Sequence, residues 1–534
     1  MTDWARVPVV VGAGQLTNRE EDPLSAPDPF DLMHEAAGLA ATSAGQAGIP
    51  NTLTHLWMVH SLSLRHGDPA RALADRIGAA GAQARCSGMG GSVPQWLVDR
   101  AAELVCEGGR PQLLIVGAEA LATRRRAKRA GLRLDWPATP GFPDTWPPIE
   151  PDLGVHEVER SHGLEQATAM YALVESALSN AGGEGRAAHT RAMGELMASF
   201  NEVAARNPFS WFATARGADE LTTVTPENRM IYYPYPKYLN AVMDVDMSAA
   251  VIVTDAATAR DWGLAPDEVA YVAGWADAHD IWYLSERPRV ERSEALAVCA
   301  RAAIGAAAID VGDVSAFDLY SCFPSSIEVA RDCIGIAPQD HRPLTLTGGL
   351  PYHGGPGSNY VTHAIANTLE WLRSGSGDSV LVHGNGYYLT KHSVGVYTRR
   401  PPLDQPQPVD GIQELADEQG QAVRVDASAQ GPGTVVAYTA PFTREGAPEP
   451  AVVLVDVDGR RTVARADEPL TALLVGGVGD VGGVGDVGGV GDVGGVGDVG
   501  DVGGAQSDES NGNGVGSKVV VYAGAEGNIV SGGA

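Results

Sequence analysis

Gly88-Met89-Gly90-Gly91-Ser92-Val93-Pro94-Gln95 and, much later in the chain, Gly354-Gly355-Pro356-Gly357-Ser358-Asn359-Tyr360 are the two stretches on which the fold reading turns. Each is a Gly-rich turn that feeds a helical pattern. Ser92 reads as a helix cap with Pro94 in the first turn, and the helix runs from Val93 to Cys106. The second turn leads into a helix from Tyr360 to Leu372. Working outward, the same order of elements surrounds both. Before the first turn come a strand at Val9 to Val11, a helix from Phe30 to Ala47 behind Asp28-Pro29, and a strand at Leu56 to Leu64; Gln112 to Val116 closes the half. Around the second come a strand at Val269 to Ala273, a helix at Ser293 to Ala308, a strand at Ala316 to Tyr320, and a closing strand at Val380 to His383. Two βαβαβ-like halves predict an α/β fold with parallel sheets covered by helices on both faces.

The chain has 534 residues, enough for about three domains. Its 38 Lys+Arg against 66 Asp+Glu leave a net charge of -28, which disfavours nucleic acid and anionic membrane surfaces as partners. Residues 475–517 hold seven of the acidic groups and 18 of the 66 glycines, so the remainder, at -21, is still acidic. Five cysteines (Cys86, Cys106, Cys299, Cys322, Cys333) without CxxC spacing indicate neither a disulfide framework nor a zinc cluster, and no metal is expected. The N-terminal run MTDWARVPVVVGAG has neither signal-peptide nor membrane-span character, so a cytoplasmic protein without a membrane span is expected.

Residues 1–123 and 226–265 read as the N-terminal half, 124–225 as an inserted helical loop domain, and 266–400 as the C-terminal half. The insert opens with Arg124-Arg125-Arg126-Ala127-Lys128-Arg129, which reads equally as a solvated helix face or as an attractor for a phosphorylated ligand. Residues 404–534 read as a small antiparallel β-domain, with strands at Gly433–Thr439, Ala451–Asp456, Arg461–Ala464 and Lys518–Tyr522. It is interrupted by a disordered Gly/Val/Asp insert, 475–517, that contains four copies of VGGVGD.

The N-terminal VVVGAGQL is not a dinucleotide fingerprint, because Thr17 stands where the third glycine belongs and no phosphate-facing helix start follows. No GxSxG, HExxH or P-loop occurs. The order of five segments resembles the thiolase superfamily over roughly residues 6–400. Gly117-Ala118-Glu119 resembles its GGxE stretch, Met243 to Ala257 its SGINDGAAA stretch, and Asp318 to Phe323 its NEAF or HDCF segment; Gly348 to Pro356 resembles the GG-to-GHP segment, and Gly384-Asn385-Gly386 lies near CxGGG. GGSVPQ, DLYSCFP, GGLPYHGGPGSNY and HGNGYYLTKH together are most similar to the thiolase-like proteins, often labelled acetyl-CoA acetyltransferases, that carry an extra C-terminal OB-fold-like domain. The resemblance implies a duplicated thiolase fold, layered αβαβα, with a helical insertion and an OB-like β-domain.

It also implies a site from which the usual groups are missing. The nucleophile position falls on Gly91, the GHP histidine on Gly355, the Asn or His of NEAF/HDCF on Tyr320, and the second cysteine at or near His383. Tyr320, His353 and His383 are the candidates for catalysis, as hydrogen-bond donor and acid/base groups. Cys86 lies about five residues early and would act as a nucleophile only if the turn were rebuilt; its other reading is a small buried residue. Gly90, Gly91, Ser92, Gly354, Gly355, Ser358 and Asn385 would line the ligand crevice. The implied ligand is a coenzyme A thioester, as substrate or bound molecule, with no resident cofactor. The implied activity is acyl transfer without the usual cysteine, the alternative being a non-catalytic binding or scaffold subunit. A monomer and a homodimer both remain open.

Overall fold

In the computed structural model residues 3–476, 514–524 and 527–532 are described; the VGGVGD array beyond Gly476, and with it most of the 475–517 insert, lies outside them. The chain divides into two compact units. One comprises Met1–His156, Met193–Leu221 and Leu239–Val423, the other Glu157–Ala192, Thr222–Tyr238 and Arg424–Ala534. The stretch 124–225 therefore contributes to both.

The larger unit is built on nine strands: β1 (Pro8–Thr17), β2 (His55–Met58), β3 (Gln83–Cys86), β4 (Leu113–Ala120), β5 (Asp246–Asp255), β6 (Ala270–His279), β7 (Ala316–Asp318), β8 (Ser379–Gly386) and β9 (Lys391–Thr398). Their order in the sheet is β3-β2-β4-β5-β1-β6-β9-β8-β7. With β3 set aside, each half reads second, third, fourth, first from its outer edge inward, so the sheet itself carries the duplication. The halves join through two residue pairs, Val9 with Tyr271 and Val10 with Ala270.

The parallel sheets expected from the alternation of elements occur only toward the outer edges, at β2/β3, β2/β4 and β7/β8. The other five pairings are antiparallel. Four of the five involve β5 or β9, which the sequence reading did not place, the fifth being the β1/β6 join of the halves: β9 returns from β8 through a short connection, and a short connection allows only an antiparallel partner.

Helices of this unit include α1 (Pro29–Ser43), α2 (Pro69–Arg76), α3 (Val93–Cys106), α4 (Leu121–Arg129), α5 (Glu294–Ala306), α6 (Pro324–Ile334) and α7 (Tyr360–Arg373). Helix α1 covers β1, β4 and β5, while α5 covers β6 and β9. Helices α3 and α7 touch each other and strands of both halves, which makes them the middle of a helix-sheet-helix-sheet-helix stack. The glycines of VVVGAG now have a physical cause. A Cβ on Gly14 would collide with the Ala36 carbonyl of α1, and one on Gly274 of β6 with the Ala303 carbonyl of α5. Both halves seat an Ala-rich helix directly on the first strand, at a distance only glycine permits.

The second unit holds a closed five-stranded barrel of β10 (Gly431–Thr439), β11 (Val452–Val457), β12 (Arg460–Ala466), β13 (Lys518–Gly524) and β14 (Gly527–Gly532), in the order β10-β11-β12-β14-β13. The first strand pairs with the second and the fourth, and α8 (Glu468–Val475) lies between the third and the fourth. This is an OB-like connectivity. It is not purely antiparallel, since β12 and β14 run parallel at Arg465–Ile529 and Ala466–Val530. Val435, Val453, Val455, Val519, Val521 and Val530 fill its core. The helix Ala167–Gly182 belongs to this unit, where Ser176 Oγ accepts the Tyr438 N–H at 2.9 Å.

Candidate functional site

Strand β3 ends at Cys86, and the chain turns through Gly90, at φ +133°, into α3. Ser92 sits at the cap position but its hydroxyl makes no capping bond, contrary to the expectation from sequence. It lies instead against β8: a Cβ on Gly384 would stand 2.9 Å from Ser92 Cα, and one on Gly386 2.8 Å from Ser92 Oγ. The two Gly-rich turns meet, because Gly90 N–H donates to Ser358 Oγ at 3.1 Å. Glu119, at the end of β4, packs under Gly357 of the second turn. Its carboxylate accepts from Leu62 N–H at 2.7 Å, Ser63 N–H at 2.9 Å and the Ser61 and Ser63 hydroxyls. Burial pushes its pKa up to about 7 against those bonds.

Tyr320 closes this crevice. A Cβ on Gly91 would stand only 2.3 Å from Tyr320 Cε2, Cζ and the hydroxyl oxygen. The ring therefore stands where the first atom of any side chain at position 91 would have to go. It is 8% exposed and packs edge-to-face on Tyr360 at 5.8 Å. Its backbone carbonyl accepts Ser326 Oγ–H at 2.8 Å. Burial drives the phenol pKa far up, so the hydroxyl stays protonated and can only act as a neutral hydrogen-bonding group.

The sequence candidates separate into two groups. Gly90, Gly91, Ser92, Ser358 and Tyr320 come together. His383 does not join them, because side chains alternate across β8 and Gly384 and Gly386 already face α3. On the opposite face, His383 Nε2 lies 3.1 Å from His392 Nδ1, and His392 Nε2 lies 3.0 Å from Ser293 Oγ, the cap of α5. Burial pushes the His383 pKa down to about 3. Asn385 shares that face and donates to Ser326 Oγ at 3.3 Å.

His353 is fully buried, with Nδ1 3.3 Å from Ser210 Oγ and its ring 5.0 Å from that of His363. Burial, then the neighbouring His363, holds it well below the usual imidazole range. Gly354, at φ +105°, packs on Met247, and a Cβ on Gly355 would stand 3.1 Å from Leu350 Cδ2, so a side chain at 355 would need that leucine to shift. Cys86 is buried, and desolvation followed by the nearby Asp68 pushes its thiol up to about 12, the opposite of an activated nucleophile.

One group beside the crevice was not among the sequence candidates. Lys391 Cβ lies next to Gly386 and Ser92, and its ammonium pairs with Glu150 at 2.6 Å beneath the Tyr387 and Trp282 rings. Tyr387 OH donates to the same carboxylate at 2.8 Å. The available signal was the alternation Gly384-Asn385-Gly386 followed by Tyr387 and Lys391: two glycines of one parity mark the face that another backbone approaches.

Two halves of one strand order enclosing a pair of central helices, each entered through a Gly-rich turn, define the thiolase superfamily. The family model for the thiolase-like protein type 1 additional C-terminal domain matches residues 412–491. A monomeric SCP2-thiolase-like protein type 1 from Mycobacterium smegmatis is similar over 99% of both chains, at 30% identity and a TM-score of 0.78. The chain belongs to this SCP2-thiolase-like protein type 1 family. Two further structures share the fold: an Ltp2-ChsH2(DUF35) aldolase, at 16% identity and TM-score 0.55, and human mitochondrial 3-ketoacyl-CoA thiolase in complex with CoA, at 16% and 0.51. Each alignment covers 74% of this chain and 98% of the other. None of the curated proteins matches the chain. No helix among the described residues is long and apolar enough to cross a membrane.

Proposed function

We propose that this protein binds a coenzyme A thioester, or a related acyl thioester, at the crevice between the Gly88–Ser92 and Gly354–Ser358 turns, and does so without thiolase chemistry. The observation that carries this reading is the Tyr320 ring lying in the volume that a side chain at Gly91 would need. Claisen condensation and thiolysis both need a thiolate there, at the N-terminus of α3, where the helix dipole and free N–H groups lower its pKa. Glycine offers no nucleophile and the tyrosine blocks a substitute. The donors that remain, the Tyr320 hydroxyl and the backbone N–H groups of the turn, suit a carbonyl oxygen and leave its carbonyl carbon unattacked.

The test combines intact-mass measurement with titration calorimetry on acetyl-CoA. The reading expects saturable binding with no mass shift. A stable acyl adduct, on Cys86 or elsewhere, or no affinity at all, overturns it. A second reading, acyl transfer without a cysteine, rests on the Tyr320 hydroxyl, which has no hydrogen-bond partner among the described residues. It requires turnover that Tyr320→Phe abolishes. A monomer is proposed on two grounds. The Mycobacterium smegmatis relative is described as monomeric. In addition, the outer edge of β3 is partly taken by its own chain, through a Cys86–Thr145 bridge and Trp146 N–H donating to Cys86 O at 2.9 Å.

A further inference from the structure

A second cavity, of about 550 Å³, opens beyond the ends of β2 and β3. That volume is within the usual ~300–1,000 Å³ of small-molecule sites. Neither Gly91 nor Tyr320 lines it, although it adjoins their crevice through Cys86, at the head of the Gly-rich turn, and through Ser61 and Leu62, which bond Glu119. Its apolar wall includes Met58, Leu62, Leu64 and Phe142, the last 95% exposed at the tip of its loop.

Its polar lining is cationic in a chain of net charge -28. Arg65, Arg124, His60 and His66 line it, with no Asp or Glu among the lining residues. Along the basic run of α4, Arg125 and Arg126 are neutralised by Asp244 and Asp246. Arg124 is not: its guanidinium donates to Leu62 O at 2.7 Å and forms no ion pair among the described residues. Arg65 likewise has no carboxylate partner there, and His60 Nδ1 is buried without a hydrogen bond. Two guanidiniums, Arg65 on the loop after β2 and Arg124 on α4, left without a carboxylate beside an apolar pocket while Arg125 and Arg126 next to Arg124 are paired, mark a place where the missing negative charge comes from a ligand.

We propose that this cavity binds an amphipathic carboxylate, its head group between Arg65 and Arg124 and its apolar body along Met58, Leu62, Leu64 and Phe142. Calorimetric titration of the full chain with decanoate, decanol and inorganic phosphate tests it. Decanoate should bind at one saturable site, with the alcohol and the phosphate at least about tenfold weaker, since each supplies only half of the match. Arg65→Gln, an exposed substitution, should weaken decanoate at least about tenfold without moving the thermal unfolding transition, and Phe142→Ser should weaken it in the same direction. Saturating coenzyme A should leave decanoate affinity unchanged. Decanol binding as tightly as decanoate, an Arg65→Gln variant of unchanged affinity, or displacement by coenzyme A each overturns the proposal. Decanoate binding by a protein that takes no coenzyme A supports the cavity and removes only the thioester reading.

Discussion

Replacing Gly91 by alanine tests the packing at the centre of the site. Gly91 is not in the left-handed region, so its backbone accepts an L-residue, and Gly→Ala there would by itself stabilise by about 0.4–1 kcal/mol through the unfolded state. Against this stands the collision with Tyr320. Ordinary contact begins at 3.4 Å, so the new methyl and the ring must part by about 1 Å. The ring is buried and braced by Tyr360, and overpacking of this kind costs about 1–3 kcal/mol. We therefore expect a net loss of about 1–2 kcal/mol. In a Tyr320→Ala background, itself costing about 3–5 kcal/mol, the collision is gone and Gly91→Ala should become neutral or stabilising. The coupling energy from the double-mutant cycle is then about 1–3 kcal/mol. All ten tryptophans lie in the larger unit, so urea unfolding followed by tryptophan fluorescence reports on that unit alone. Additivity of the two substitutions within about 0.5 kcal/mol would refute the claim that Tyr320 occupies the position-91 volume.

Glu119, whose folded pKa is raised to about 7 from 4.5, favours the folded state fully below pH 4.5, and this contribution is lost as pH rises through about 7. Glu119→Gln should therefore gain about 3 kcal/mol relative to wild type between pH 4.5 and pH 8; unfolding curves at four pH values that stay parallel contradict this. Cys86, with its thiol pushed up to about 12, should react with iodoacetamide at pH 7.5 far more slowly than free cysteine, a difference read by peptide mass spectrometry. Asp467 caps α8 by accepting Leu470 N–H at 2.9 Å, so Asp467→Ala should cost about 1 kcal/mol, seen as faster hydrogen exchange in the barrel with the tryptophan-detected transition unmoved.

How much of this was legible depended on whether the information is local. Helix α3 is bounded by Ser92 and Pro94 and carries its own apolar period, and it lies where those signals put it. The capping box Asp28–Asp31 likewise starts α1 at Pro29, though the helix ends at Ser43, short of the sequence estimate. Strand β5, MDVDMSAAVIVTDAA in its sequence setting, is buried on both faces. It therefore has no alternation to read, and in the sequence only its likeness to a family segment marks it. The final barrel strand Gly527–Gly532 is hard to read because Ile529-Val530 is its only β-favouring stretch, set between Gly, Asn and Ser; its partners hold it.

The chain by itself determined the duplication and the Gly-rich entry to each central helix, because these follow from residue order and short-range geometry. It also placed Tyr320 and Gly91 in the same crevice, through the resemblance alone. Only the tertiary structure decided that the tyrosine ring fills the space over that glycine. The same is true of His383, turned to the far face of β8 and bonded to His392, and of His353, buried against Ser210. The physical reason is that a side chain's chemistry depends on which face of its strand it occupies and on what solvent it has lost. Neither is written in its neighbours along the chain; both are set by residues hundreds of positions away that the fold brings against it.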